Sequence, residues 1–150
     1  MRILLDAGVL SSVLNPNARA QSVKDVVAWA QRLLKRGDEF YIPGIADFEV
    51  RRELLFIKAE RSIAKLDRAR LDWEFLPVEQ RDLDRAAVLW ADRKQRGRPS
   101  APDAALDGDT ILCAQAMRLA ETSGEAVLVA TTNTKHLTDF VDARLPSAIP

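Results

Sequence analysis

The sequence is poor in the residues from which many recognisable sites are built. It holds one cysteine, Cys113, and one histidine, His136, in 150 residues. A lone cysteine forms no internal disulfide, and its apolar helical setting reads as core packing. Without a His or Cys cluster there is no soft, zinc-type ligand set. No apolar run approaches the roughly 20 residues of a membrane-spanning helix. The N-terminus passes from one arginine straight into an apparent strand, with no h-region or cleavage site of a signal peptide, so a cytoplasmic protein is expected. The G-x-x-x-x-G-K-[ST], G-x-G-x-x-G and G-x-S-x-G patterns are missing, which argues against P-loop triphosphate hydrolysis, dinucleotide binding and an elbow-type serine hydrolase. No internal repeat or low-complexity tract is visible. Net charge is also missing, with 22 basic and 22 acidic side chains. That balance neither demands nor excludes nucleic acid, because placement of charge decides binding.

What is present is an ordinary globular composition, 47% hydrophobic and 29% charged, of a length that suits a single domain over 1–150. The charges are segregated by sign. Basic residues gather at Arg51 and Arg52, along 58–70, and at Arg93, Lys94, Arg96 and Arg98. Acids gather at Asp103, Asp107 and Asp109.

The opening Arg2-Ile3-Leu4-Leu5-Asp6 reads as a buried strand running into a carboxylate. Asp6 is either the N-cap of a following helix or a functional acid at the strand's carboxyl end, where open α/β sheets collect their sites. A turn at Asn15-Pro16-Asn17 precedes an amphipathic helix ending at Lys35-Arg36-Gly37. A short strand over 40–43 leads into a helix over 45–60 carrying Glu49 and Glu53. A charged helix is expected over 62–71, a third strand over 73–76, a helix over 79–96 and a loop over 98–102. Asp107 or Asp109 is read as the start of a small-residue helix, and 126–131 is the clearest buried strand. Thr132 and Asn133 follow it, with a short helix expected over 135–141.

Strands alternating with helices imply a parallel sheet covered on both faces, with every strand's carboxyl end on one edge. Asp6, Glu49 and Asp107/Asp109 then reach that edge from separate segments. Like charges gathered there repel, and a hard divalent cation such as Mg²⁺ or Mn²⁺ relieves the repulsion. An acid-held metal at such an edge suits phosphodiester chemistry.

Four stretches carry a family likeness: Leu4-Leu5-Asp6-Ala7-Gly8-Val9-Leu10, Ile42-Pro43-Gly44-Ile45-Ala46-Asp47-Phe48-Glu49, Leu106-Asp107-Gly108-Asp109-Thr110-Ile111-Leu112-Cys113-Ala114, and Val129-Ala130-Thr131-Thr132-Asn133-Thr134-Lys135-His136-Leu137. In this order they resemble the motifs of PIN-domain proteins, most of all the VapC-like bacterial ribonucleases. The resemblance implies a three-layer α/β/α sandwich on a central parallel sheet and a Mg²⁺- or Mn²⁺-dependent endoribonuclease. It matches Asp6, Glu49 and Asp109 to the family's acids and Asn133 to its fourth position, with Thr132 in support and Asp107 as an additional metal-site acid. It also implies a homodimer and, for toxins of toxin–antitoxin pairs, a small antitoxin partner. Arg51, Arg52, Arg93, Lys94, Arg96 and Arg98 are expected to track the RNA backbone. Ala7-Gly8 stand where the family often has Thr or Ser and then Asn or Ser, so weaker side-chain support for Asp6 is expected. The alternatives are a non-catalytic RNA- or protein-binding module on the same fold, and a phosphatase or nuclease acting on DNA.

Overall fold

The computed structural model describes residues 1–15, 17–97 and 103–150. The expected loop at 98–102, with Arg98, lies outside them. In chain order the elements are β1 (Arg2–Leu5), α1 (Ala7–Val13), α2 (Gln21–Arg36), β2 (Glu39–Pro43), α3 (Gly44–Phe56), α4 (Glu60–Asp72), β3 (Glu74–Leu76), α5 (Gln80–Gln95), α6 (Asp103–Ser123), β4 (Val127–Ala130) and β5 (Ala143–Arg144). The strands form one sheet in the order β3-β2-β1-β4-β5. Every pairing is parallel.

Alternation along the strands makes the three layers. Ile3, Leu5, Phe40, Ile42, Leu128 and Ala130 pack with Val9 and Leu10 of α1, Trp29 and Leu33 of α2, Val50 of α3 and Leu66 of α4. Leu4 and Val129 point the other way and meet Leu112, Cys113, Ala116 and Leu119 of α6. The period of two in the strands therefore sends neighbouring residues into opposite cores. Cys113 and Ala116 are small enough to bring α6 close to the sheet, as expected from their size. The α/β/α sandwich with a central parallel sheet read from the sequence is the architecture observed.

Local chemistry explains several boundaries. Gly37 ends α2 at φ 92°, with its N–H donating to the carbonyls of Leu33 and Leu34. Glu79 and Asp82 form a capping box that starts α5. Most expected edges shift by a residue or two, the helix expected over 45–60 ends at Phe56, and three further differences matter more. Helix α6 begins at Asp103, so Asp107 and Asp109 lie inside it and cap nothing. The helix expected over 135–141 is one 3-10 turn, Thr134–His136. Strand β5 has two residues, too few to leave a periodic signal.

Register delivers the site. Leu5 pairs with Ala130 across β1 and β4, and the Asp6 N–H continues the ladder to the Ala130 carbonyl at 3.0 Å. Asp6 and Thr131 consequently leave the sheet side by side at its carboxyl edge. From α6, the buried Gln115 side chain accepts from the Ile45 N–H at 3.2 Å and donates to the Leu76 carbonyl at 2.7 Å. One amide thus ties the start of α3 and the end of β3 to the helix that carries Asp109.

Candidate functional site

Asp6 caps α1 and also stands at the sheet's carboxyl edge. Its Oδ1 accepts the Ala7 N–H at 2.7 Å and caps α1. Its Oδ2 accepts the Thr131 hydroxyl at 2.7 Å. Thr131 is fully buried, and its Oγ1 in turn accepts the Asn133 N–H at 3.1 Å. The carboxylate is therefore oriented from the end of β4, which offsets the apolar Ala7-Gly8 that follow it. Expected support from Thr132 is instead supplied by the residue before it.

Glu49 stands in the second turn of α3 and Asp109 in the second turn of α6. The two helices approach closely because residue 108 is glycine. A Cβ there would overlap Oε1 of Glu49, so the Glu49 carboxylate lies directly on the α6 backbone. Burial, then the charge of Asp6, raise the proton affinity of the Glu49 carboxyl; the nearby Arg52 works against them and Asp109 adds to the rise. Burial likewise pushes the Asp109 carboxyl up to about 6, with Asp6 reinforcing the shift and Arg93 opposing it. Desolvation and like charge act together here, the combination that marks a functional carboxylate cluster more often than a surface lattice.

Asp6, Glu49 and Asp109 line one cleft of about 330 Å³ with Ala7, Gly8, Arg52 and Ala105. Among the described residues, no group of three or more His, Cys, Asp or Glu is already gathered tightly enough to hold an ion. The donor set nevertheless fits Mg²⁺ or Mn²⁺. These ions take hard oxygen ligands and commonly keep several waters, binding through one or two carboxylates. The cleft has space for such water, and the Gly108 notch keeps one carboxylate of the set flush with its wall.

The other expected site residues fall elsewhere. Asp107 is exposed and lines a separate groove with Leu83, Trp90 and Ile111. Two residues along a helix turn by about 200°, so Asp107 and Asp109 point to opposite sides. Asn133 is exposed, and its Oδ1 accepts the Lys135 N–H at 3.2 Å, capping the 3-10 turn. Thr132 packs against α1, where a Cβ on Gly8 would come within 2.8 Å of its Oγ1. Gly8 is therefore the space that Thr132 needs.

The basic residues divide in the same way. Arg51 pairs with Asp47 at 3.0 Å and Asp67 at 2.8 Å, in a network that Arg70 completes on the buried Asp47. Arg93 is 4% exposed and donates inward to the His136 carbonyl. Lys94 lies 5.4 Å from the Trp90 ring centroid, and Arg96 pairs with Asp92 at 3.0 Å. Arg52 is exposed, stands at the cleft and lies 5.4 Å from the Phe48 ring centroid. Thr131, Gly108 and Gln115 were not singled out from the sequence. Gly108 had a signal, because glycine inside a helix costs about 1 kcal/mol against alanine and invites a packing reason.

No protein-family model and no curated protein sequence matches this chain. Solved structures do. A chain in the crystal structure of VapBC2 from Rickettsia felis bound to a DNA fragment from their promoter shares the fold at a TM-score of 0.69 and 17% identity, over 97% of this chain and 98% of that one. The structure of FitAcB from Neisseria gonorrhoeae contains a chain at a TM-score of 0.65 and 22% identity, over 98% and 99%. VapBC-1 from nontypeable Haemophilus influenzae contains one at 0.68 and 16%, again over 98% and 99%. At these identities the likeness establishes the fold, and it agrees with the PIN-like architecture expected from the four motifs.

Proposed function

We propose that this chain is a Mg²⁺- or Mn²⁺-dependent endoribonuclease, the toxin member of a toxin–antitoxin pair. The observation that carries the reading is the meeting of Asp6, Glu49 and Asp109 in one cleft from three separate segments. Asp6, Glu49 and Asp109 would hold the ion, directly or through water. When bound, a divalent cation would lower the charge of the acids and polarise the attacked phosphodiester.

The chain's own groups do the rest. Asp6 is fixed by its cap bond and by Thr131, so one wall of the cleft needs no rearrangement. Asp109, whose proton affinity burial and Asp6 lift to about 6 in the metal-free cleft, would be relieved of that repulsion by a bound cation. Arg52 at the rim meets a substrate phosphate. Lys94 and Arg96, at the end of α5, would meet the backbone of a bound RNA away from the cleft. The Arg96–Asp92 ion pair is exposed, and pairs of that kind are worth little, so a phosphate competes readily with it. Arg51 and Arg93 are committed to protein partners and are left out of this contact.

The partner follows from the fold neighbours and from the surface. Those neighbours are chains of VapBC and FitAcB structures, which supports a small antitoxin as this chain's own partner. Phe48, Leu55, Phe56 and Ile57 are exposed along and just beyond α3, an apolar surface beside the cleft suited to a protein contact, whether antitoxin or a second copy in a homodimer.

A second reading is a non-catalytic RNA- or protein-binding module. It is favoured by Ala7-Gly8, which offer the cleft no side-chain donors, and by Asn133, whose side chain is engaged as a cap. Incubation with single-stranded RNA, matched single-stranded DNA, and Mg²⁺ or Mn²⁺ separates the readings. RNA cleavage that EDTA stops, and that Asp6→Asn or Asp109→Asn abolishes, is the expected result. Cleavage that persists in both variants rejects the site. Preference for DNA at the same salt replaces the substrate. Absence of both cleavage and Mn²⁺-dependent thermal stabilisation leaves the binding module.

A further inference from the structure

Arg93 is a buried cation, and its partners among the described residues leave one of its N–H groups unbonded. Its Nη1 donates to the His136 carbonyl at 2.7 Å and lies 3.5 Å from a carboxylate oxygen of Asp139. Its Nη2 is 3.0 Å from Nδ1 of His136. The Phe140 ring centroid is 5.8 Å from the guanidinium carbon. Its Nε is buried with no hydrogen-bond partner among the described residues. Taking a guanidinium out of water is costly unless charge and hydrogen bonds are returned to it. Arginine carries donors only, so Nδ1 of His136 accepts and its ring proton resides on Nε2.

Two hydrogen-bonded steps, joined by one short turn of backbone, lead from this cation to the cleft. His136 closes the 3-10 turn that Asn133 caps. The Asn133 N–H donates to Thr131 Oγ1, and that hydroxyl donates to Asp6 Oδ2. On the other side, the field of Arg93 reaches Asp109 and Cys113 on α6. Arg93 thus joins α5 to the turn whose first residues steady Asp6.

We propose that Arg93 is a positioning residue of the acidic cleft: from α5 it anchors the 131–136 turn, and so holds the Thr131 hydroxyl on Asp6. Its effect on a bound cation rests on the function proposed above; the anchoring of the turn does not. Removing the guanidinium loosens the turn and leaves Asp6 free to swing on its cap bond.

The test compares full-length wild type with Arg93→Met by amide hydrogen exchange and by Mn²⁺ titration followed through thermal stability. The expected result is exchange at Asn133 and Leu137 accelerated about tenfold or more, with amides of α2 and α4 unchanged, and Mn²⁺ binding weakened about tenfold, the lower end of what loss of an outer-shell partner costs. Unchanged exchange at Asn133 overturns the proposal, and so does an equal acceleration throughout the molecule. If wild type shows no Mn²⁺ response, the cation reading of the cleft falls while Asn133 exchange still decides the anchoring. If Arg93→Met does not fold, Arg93→Lys takes its place. Lysine lacks the planar fork over His136, so a smaller acceleration confined to Asn133 and Leu137 supports the proposal and none overturns it.

Discussion

The hydroxyl of Thr131 stands 2.7 Å from Oδ2 of Asp6, across 125 residues of sequence, and is the only side-chain donor on that oxygen among the described residues. Replacing it with valine keeps the shape and removes the bond. Thr131→Val is expected to weaken Mn²⁺ binding about tenfold, in the range seen when outer-shell partners are lost. Thr131→Ser, which restores the hydroxyl, is expected to recover most of the loss. A Mn²⁺ titration of the three proteins by thermal shift checks both.

Gly108 offers a test in which stability and site chemistry part company. Alanine at a helix interior gains up to about 1 kcal/mol over glycine, but its Cβ would occupy the position of Glu49 Oε1. Gly108→Ala is expected to fold with a Tm close to wild type while losing most Mn²⁺ stabilisation and RNA cleavage, because Glu49 must swing away. A variant that retains full metal response would show that Glu49 is not held where the notch places it.

The carboxyl of Asp109 predicts how stability varies with pH. Its proton affinity is raised from an ordinary value of 3.8 to about 6 by burial and by Asp6. Between those values the folded chain binds more protons here than the unfolded one, so this group's contribution falls as pH rises through the window. At pH 7 the metal-free wild type carries the full penalty. Asp109→Asn removes the charge and is expected to raise the metal-free stability at pH 7 by on the order of 1–2 kcal/mol after allowance for solvent screening, roughly 3–6 °C in Tm. Near pH 4 the two proteins are expected to melt together. Thermal melts with EDTA at pH 4, 5, 6 and 7 read this directly.

Arg52 is the cation at the cleft rim. Arg52→Ala is expected to lower RNA affinity uniformly across sequences and to reduce the slope of log K against log salt by about 1, the signature of one lost phosphate contact. Arg51→Ala, by contrast, is expected to act on stability, because Arg51 is bonded to Asp47 and Asp67. Filter binding at several salt concentrations distinguishes the two.

The architecture was legible in the sequence because apolar runs such as 3–5 and 127–130, and the small-residue face of α6, carry their own periodicity. The convergence of Asp6, Glu49 and Asp109 in one cleft was legible because order of elements places strand ends and helix starts on one edge. What could not be read was direction within that edge. Asp107 and Asp109 look equivalent in sequence, and only the true start of α6 shows them on opposite sides. Arg93 sits in a basic run, and nothing local says that one member of it turns inward. Thr131, the first residue beyond β4, depends on a register that becomes definite only when Leu5 pairs with Ala130.

The double attachment of Asp6 makes position 6 a useful place to silence the protein without damaging it. Asparagine is as good an N-cap as aspartate, so its carbonyl oxygen can keep the bond to the Ala7 N–H. Its amide would then face Thr131, whose hydroxyl has a second acceptor within reach, the Asn133 carbonyl at 3.3 Å. The hydroxyl can rotate there and accept from the new amide. Asp6→Asn is thus expected to fold with its outer surface intact and, under the proposed nuclease function, to serve as a charge-deleted decoy for capturing an uncut target.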